Sequence, residues 1–145
     1  MTELTAPQRD TLEDGSIRLQ AGGCVFVYSR PRLGVLRVDI TGNDKGQFGT
    51  RTLDEILHVL KRERPIELFV DAHEATGASV SVSEAWTRFF AANRADMVRV
   101  HVLVGSKVVE LTIAIAQHLS RTGNLIQIYS DPEIFESRVA LAGKP

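Results

Sequence analysis

The sequence predicts an α/β fold built on a mixed β-sheet, on three observations. Up to Ile40, short apolar stretches are separated by turn residues. Beyond that point, aliphatic runs alternate with segments of helical period. Those helical segments open on cap residues and close on basic, proline or glycine residues. Hairpin-spaced strands followed by strand–helix alternation call for an antiparallel meander that continues into parallel βα units.

The elements follow in order. Ile17 and Leu19 alternate with Arg18 and Gln20, and Gly22-Gly23 marks a turn. Cys24 to Tyr28 is apolar at most positions, which predicts a strand covered on both faces. Arg30-Pro31-Arg32-Leu33-Gly34 turns the chain. Leu36, Val38 and Ile40 then alternate with Arg37 and Asp39, giving a third strand with one polar face. Thr41 to Gly49 reads as a loop. Thr52 and Glu55 have capping-box spacing, and Leu53, Ile56, Leu57 and Leu60 follow on one helical face. Lys61 to Arg64 places positive charge at the negative helix end, and Pro65 stops the helix.

Ile66 to Ala72 predicts a central parallel strand, and residues 75–80 a loop. Ser81 and Glu84 form a second capping box, followed by Val82, Ala85, Trp86, Phe89 and Phe90 on one face. That aromatic stripe reads as core. Val98 to Val104 is the next strand. Gly105-Ser106 opens a third helix reaching about Thr122, and Gly123 suits a left-handed stop. Leu125 to Tyr129 is a short strand, and Asp131-Pro132 starts a fourth helix that runs to about Ala142. The expected order is β-β-β-α-β-α-β-α-β-α, with four helices and right-handed crossovers. Residues 1–15 read as a flexible N-terminal arm, and residues 16–142 as one domain.

The chain has 145 residues, enough for one domain with a core of its own. Lys and Arg number 17 against 18 Asp and Glu, a net charge of −1. That balance excludes a protein that works by gripping nucleic acid phosphates or anionic lipid, since both need excess positive charge. Cys24 is the only cysteine, so there is no internal disulfide and no cluster of thiolate ligands. It sits in an apolar run and reads as a small buried hydrophobe. The N-terminal residues lack the basic start and apolar stretch of a signal peptide, and no window reaches membrane-span length. A cytoplasmic location is therefore expected.

The sequence carries no complete motif for catalysis, metal or nucleotide. Gly42, Gly46 and Gly49 have neither dinucleotide-binding spacing nor the lysine of a P-loop. His73-Glu74 begins like a zinc-protease motif, but Gly77 stands where the second histidine belongs. No metal site and no cofactor are predicted. Ser106 follows Gly105 at a strand-to-helix turn and reads as a cap, without a nucleophile elbow around it.

One cluster stands out. Asp71, His73, Glu74, Thr76, Ser79, Ser81, Ser83 and Glu84 follow the central strand and lead into the second helix. Ligands and reactive groups of α/β sheets gather at the carboxyl ends of strands. A helix N-terminus also favours anions. A solvated loop with one helix cap accounts for the same residues.

Several strings along 16–142 resemble the STAS domain, the fold of bacterial anti-sigma factor antagonists, and especially its single-domain relatives related to the lipid-binding CRAL-TRIO group. They are Leu36-Arg-Val-Asp-Ile-Thr-Gly42, Ile66-Glu-Leu-Phe-Val-Asp71, Val100-His-Val-Leu-Val-Gly105 and Ile128-Tyr-Ser-Asp-Pro-Glu133. The resemblance implies a non-enzymatic regulatory domain that docks a protein partner, such as a kinase or another regulatory protein. Switch members of that family carry Asp-Ser-x-Gly, or Thr for the Ser, at the helix after the central strand, where a kinase phosphorylates the hydroxyl. Here the stretch reads Gly77-Ala-Ser-Val-Ser-Val-Ser83, without that Asp and Gly. Ser79 or Ser81 falls nearest the switch position.

Two other readings stand beside this one. The apolar third helix, with Val108, Val109, Leu111, Ile113 and Ile115, has more apolar surface than one buried stripe needs. It would line a cavity for a small apolar ligand or lipid, or meet a second copy in a homodimer. The last reading is a hydrolase or transferase using Asp71, His73 and a serine.

Overall fold

A computed structural model describes residues 6–105 and 125–143. Seven strands form one sheet in sequential order: β1 (Gln8–Thr11), β2 (Ile17–Ala21), β3 (Cys24–Ser29), β4 (Val35–Asp44), β5 (Ile66–Ala78), β6 (Met97–Val104) and β7 (Ile126–Tyr129). β1 to β4 pair antiparallel, and β4 to β7 pair parallel. The described helices are α1 (Arg51–Arg62), α2 (Val80–Ala92) and α3 (Pro132–Leu141). The helix expected over 106–122 lies outside the described residues, and the other three expected helices are among them. Its surplus apolar face lies outside them as well.

Sequential strand order decides where the helices go. Right-handed crossovers that all step in one direction place their helices on one face of the sheet. Accordingly α1 and α2 cover the face bearing Phe26, Leu36, Val38, Leu68, Val70, Val100 and Val102. α3 follows the last strand and crosses to nothing. It folds onto the opposite face, where Phe135 and Val139 pack on Val35, Phe69, Leu103 and Tyr129. The parallel half of the sheet is thus covered on both sides, as its aliphatic runs require.

Four readings from sequence are corrected. Gln8–Thr11 is no loose arm but an edge strand paired to β2, from Gln8 opposite Gln20 to Thr11 opposite Ile17. Its polar sequence carries no strand periodicity, and backbone pairing places it, with Arg9 bonded to Glu55 of α1 and Asp10 to Arg18 of β2. β3 is not covered on both faces: Cys24, Phe26 and Tyr28 are buried while Val25 and Val27 are half-buried. α3 lies over the parallel strands and leaves that side open.

Next, residues read as loops after β4 and β5 extend both strands. Thr41 pairs with Glu74, Gly42 with Ala75, Asn43 with Gly77 and Asp44 with Ala78, across two register shifts. Finally, both capping boxes start two residues early. Thr50 is the first cap and its hydroxyl donates to Asp54 at 2.9 Å, whereas Thr52 is buried. Ser79 caps α2, its Oγ accepting from the Val82 N–H at 3.3 Å. Only at Asp131, which accepts from Glu133 N–H at 2.9 Å, does the cap fall where the sequence puts it.

Two glycines mark where backbones meet. Gly42 has φ +86°, and a Cβ there would lie 2.3 Å from the Gly23 carbonyl. At Gly105 a Cβ would lie 2.2 Å from the His73 carbonyl. Gly46 also has positive φ, but nothing lies within 4 Å of its Cβ position. Gly42→Ala therefore combines backbone strain with a collision that Gly46→Ala lacks. In urea denaturation Gly42→Ala should lose about 2–4 kcal/mol and Gly46→Ala about 1 kcal/mol.

Candidate functional site

The cluster predicted between Asp71 and Glu84 is divided by the sheet. β5 alternates, so Asp71 lies on the α3 face and Ala72 on the α2 face. Asp71 and His73 join an ionic group under α3. Ser79, Ser81, Ser83 and Glu84 lie at the start of α2.

Register builds the ionic group. Asp39 and Asp71 are directly paired on adjacent parallel strands, which sets two carboxylates side by side. Arg37, two residues earlier on β4, neutralises them. Its guanidinium donates to Asp71 Oδ2 at 3.0 Å and to Asp39 at 3.2 Å, and it pairs with Glu136 of α3 at 2.8 Å. Its Cζ stands 5.6 Å above the Phe135 ring. Burial lifts the Asp39 carboxyl, with Arg37 opposing and the neighbouring carboxylates adding to the rise. Three acids share one arginine, so removing Arg37 leaves like charges facing each other in a half-buried site.

His73 extends this group outward. Its Nδ1 meets Asp71 Oδ1 at 2.5 Å, and its backbone N–H donates to the same oxygen at 3.2 Å. Its Nε2 lies 3.5 Å from Glu74 Oε1. The Asp71 hydrogen bond raises the imidazole pKa above its usual value. Chemically this is an oriented Asp–His pair with an accessible ring. Among the described residues, no serine hydroxyl is hydrogen-bonded to it.

The serines do other work. Ser79 Oγ caps α2 and lies 3.2 Å from Ser81 Oγ. The Ser79 N–H donates to the Asp44 carbonyl at 2.9 Å, which ties the helix start to the end of β4. Ser81 is exposed, and Ser83 accepts from the Thr87 hydroxyl through its carbonyl. Glu84 is exposed and lies 4.0 Å from Arg88, one turn on.

Sequence reasoning missed Arg37, Asp39 and Glu136. A polar pair on a strand beside the central one was the available signal for the first two. Nothing local to Glu136 points to the group. Sequence reasoning also passed over a second buried group. His101, within the aliphatic run of β6, is sandwiched in the sheet face under α3. Its Nε2 meets Glu67 Oε2 at 2.5 Å and its Nδ1 meets Tyr129 Oη at 2.8 Å. Its ring stacks on Phe69, with centroids 4.2 Å apart. A neutral imidazole satisfies both bonds, donating to Glu67 and accepting from Tyr129. Burial lowers its pKa, against the pull of Glu67.

A cavity of about 210 Å³ lies between α2 and the sheet. Phe26, Val70, Ala72, Trp86, Phe90 and Val102 form its apolar wall, and Asp44 lines it too. Cys24 is fully buried, its thiol pushed up to about 12 by burial. No group of three or more His, Cys, Asp or Glu among the described residues has the arrangement to hold a metal. No described helix is long and apolar enough to cross a membrane.

The two histidines should respond oppositely to pH. Folded-state elevation means that the His73 contribution is complete below about pH 6.5 and fades as pH rises through its folded value. His101 binds its proton less readily when folded, so it costs stability as pH falls below about 6.5. Imidazole NMR titration should place His73 highest of the two. Asp71→Asn should bring His73 down and leave His101 in place. An unmoved His73 would show that Asp71 does not hold it.

Arg37→Ala should cost about 2–3 kcal/mol in urea denaturation, discounted for partial exposure. Asp39→Asn in the same chain should recover part of that loss by removing one of the facing charges.

No protein-family model matches the chain, and no curated protein matches it in sequence. Among solved structures it is similar to an uncharacterized protein of the DUF3478 family with a SpoIIAA-like fold, from Shewanella loihica PV-4. The two share 14% identity with a TM-score of 0.59, over 80% of this chain and 93% of that one. The mixed α/β architecture with its seven-stranded sheet is thus a SpoIIAA-like fold, the fold of the STAS domain and anti-sigma factor antagonists.

Proposed function

We propose that this chain is a non-enzymatic STAS-type regulatory domain that docks a protein partner through the start of α2. The observation that carries the reading is the presentation of this segment on a SpoIIAA-like fold: Ser81 and Glu84 are exposed at a helix N-terminus fixed to the sheet by Asp44 and Ser79. Val80 there is 75% exposed, an apolar contact beside polar ones. Such a mixture of an apolar centre and a polar rim suits a reversible protein interface.

Ser79 and Ser81 differ as modification targets. Ser79 Oγ is engaged as the helix cap, whereas Ser81 is exposed. A phosphate on Ser81 would add about −1.5 to −2 charges at a helix N-terminus that favours them. Modification of Ser81 would therefore alter docking without breaking the cap. The Asp71–His73 pair lies on the other face of the sheet and takes no part in this surface.

The reading predicts position-dependent crosslinking. A photoreactive amino acid at Ser81 or Glu84 should trap one protein in cells of the source organism. The same group at Leu33, which is 82% exposed and remote from α2 in the chain, should not trap it. Equal trapping from all three positions, or none, would defeat the assignment. Mass spectrometry of the chain after incubation with ATP and source-cell lysate should place any phosphate on Ser81 before Ser79.

A further inference from the structure

The cavity beneath α2 combines two features that a packed core avoids. Its wall is largely apolar, yet it holds a carboxylate. Asp44 is only 5% exposed, and its recorded side-chain bond is the Gly46 N–H to Oδ1 at 3.0 Å. Its backbone carbonyl is committed separately to Ser79. A buried carboxylate is costly unless a cation or several donors face it. Among the described residues, no arginine or lysine forms an ion pair with Asp44, and burial raises its carboxyl pKa against the Gly46 bond. It also borders a second hollow, of about 190 Å³, on the other side of Val82 and Trp86.

α2 stands off the sheet at this point. Of its thirteen residues only Phe90 is fully buried, and Trp86 remains half-buried although its ring stacks with Phe26 at 6.4 Å. A volume of about 210 Å³ is below the roughly 300–1,000 Å³ of drug-sized pockets. It admits a compact hydrocarbon body and excludes a two-chain lipid.

We propose that this cavity is a binding site for a small compact apolar amine, its hydrocarbon body against Phe26, Val70 and Trp86 and its ammonium paired with Asp44. The apolar wall takes the body by removing it from water. The carboxylate takes the cation in a poorly hydrated place, where a charge-assisted hydrogen bond is strong. An anion of the same shape would meet Asp44 as a like charge. The site stands independently of partner docking at Ser81, because it lies on the inner side of α2 and needs no second protein.

The test uses the full chain with three shape-matched probes: 1-adamantylamine, 1-adamantanol and 1-adamantanecarboxylate. Trp86 is the only tryptophan and lines the cavity, so its emission reports the site directly. At pH 7 the amine should shift that emission saturably and bind at least about tenfold more tightly than the carboxylate, with the alcohol between them. Asp44→Asn should remove the amine's advantage over the alcohol. Ala75→Phe, which fills the cavity from β5, should abolish all binding. Equal affinity for amine and carboxylate, or no response of Trp86 to any probe, would overturn the proposal. Should Asp44→Asn lose its far-UV circular dichroism, the probe ranking on the unaltered chain and the Ala75→Phe variant still decide it.

Discussion

The parallel ladder between β4 and β5 is the constraint on which the other features rest. Its first half, Val35 to Asp39 against Glu67 to Asp71, stands at the middle of the sheet and separates two cores. Its second half continues past a register shift to Asp44 and Ala78. That extension holds the start of α2 through the Ser79 N–H and the Asp44 carbonyl. It also forms one wall of the cavity. Without the extension, α2 would keep its packing through Trp86, Phe89 and Phe90 but lose the backbone bond that fixes its start.

The same ladder explains the charge distribution. Pairing Asp39 with Asp71 would be repulsive, and Arg37 is the residue that makes it tolerable. Arginine suits this place because its planar fork reaches several carboxylates at once while its face rests on Phe135. α3 contributes both Phe135 and Glu136 to the arrangement. The ionic group therefore pins α3 to the sheet as much as it shapes a surface. His73 and Glu136 reach furthest into solvent, with side chains 44% and 52% exposed, whereas Asp71 is buried.

Opposite faces of one sheet thus carry separate chemistry. Beneath α3 lie charged and hydrogen-bonded groups, Arg37 with its acids and Glu67–His101–Tyr129, each largely satisfied within the fold. Beneath α2 lie an apolar hollow and a sparsely bonded carboxylate. Satisfied polar groups fix a structure, whereas an apolar hollow with one under-bonded charge leaves free energy for a ligand to recover.

The strand periods and the helix start and stop signals were enough to read an α/β chain with a meander followed by βα units. They also placed β6, β7 and the start of β5 to within one residue, because the aliphatic runs of a covered parallel sheet stand out in sequence. Sequence could not place β1, whose Gln-Arg-Asp-Thr has no apolar face and is held by pairing to β2. Nor could it see that Thr41–Asp44 and Glu74–Ala78 are strands, since each looks like a loop until the other lies beside it. The caps at Thr50 and Ser79 escaped for a related reason: several hydroxyls compete locally, and the helix start is set by where the preceding strand ends. At the candidate site the residue types were legible but their grouping was not. Asp71 through Glu84 is continuous in sequence, yet strand alternation and the register shift send its two halves to different faces. Local composition and period are properties of a segment, while register, face and burial of a charge are properties of its neighbours, which only the folded sheet supplies.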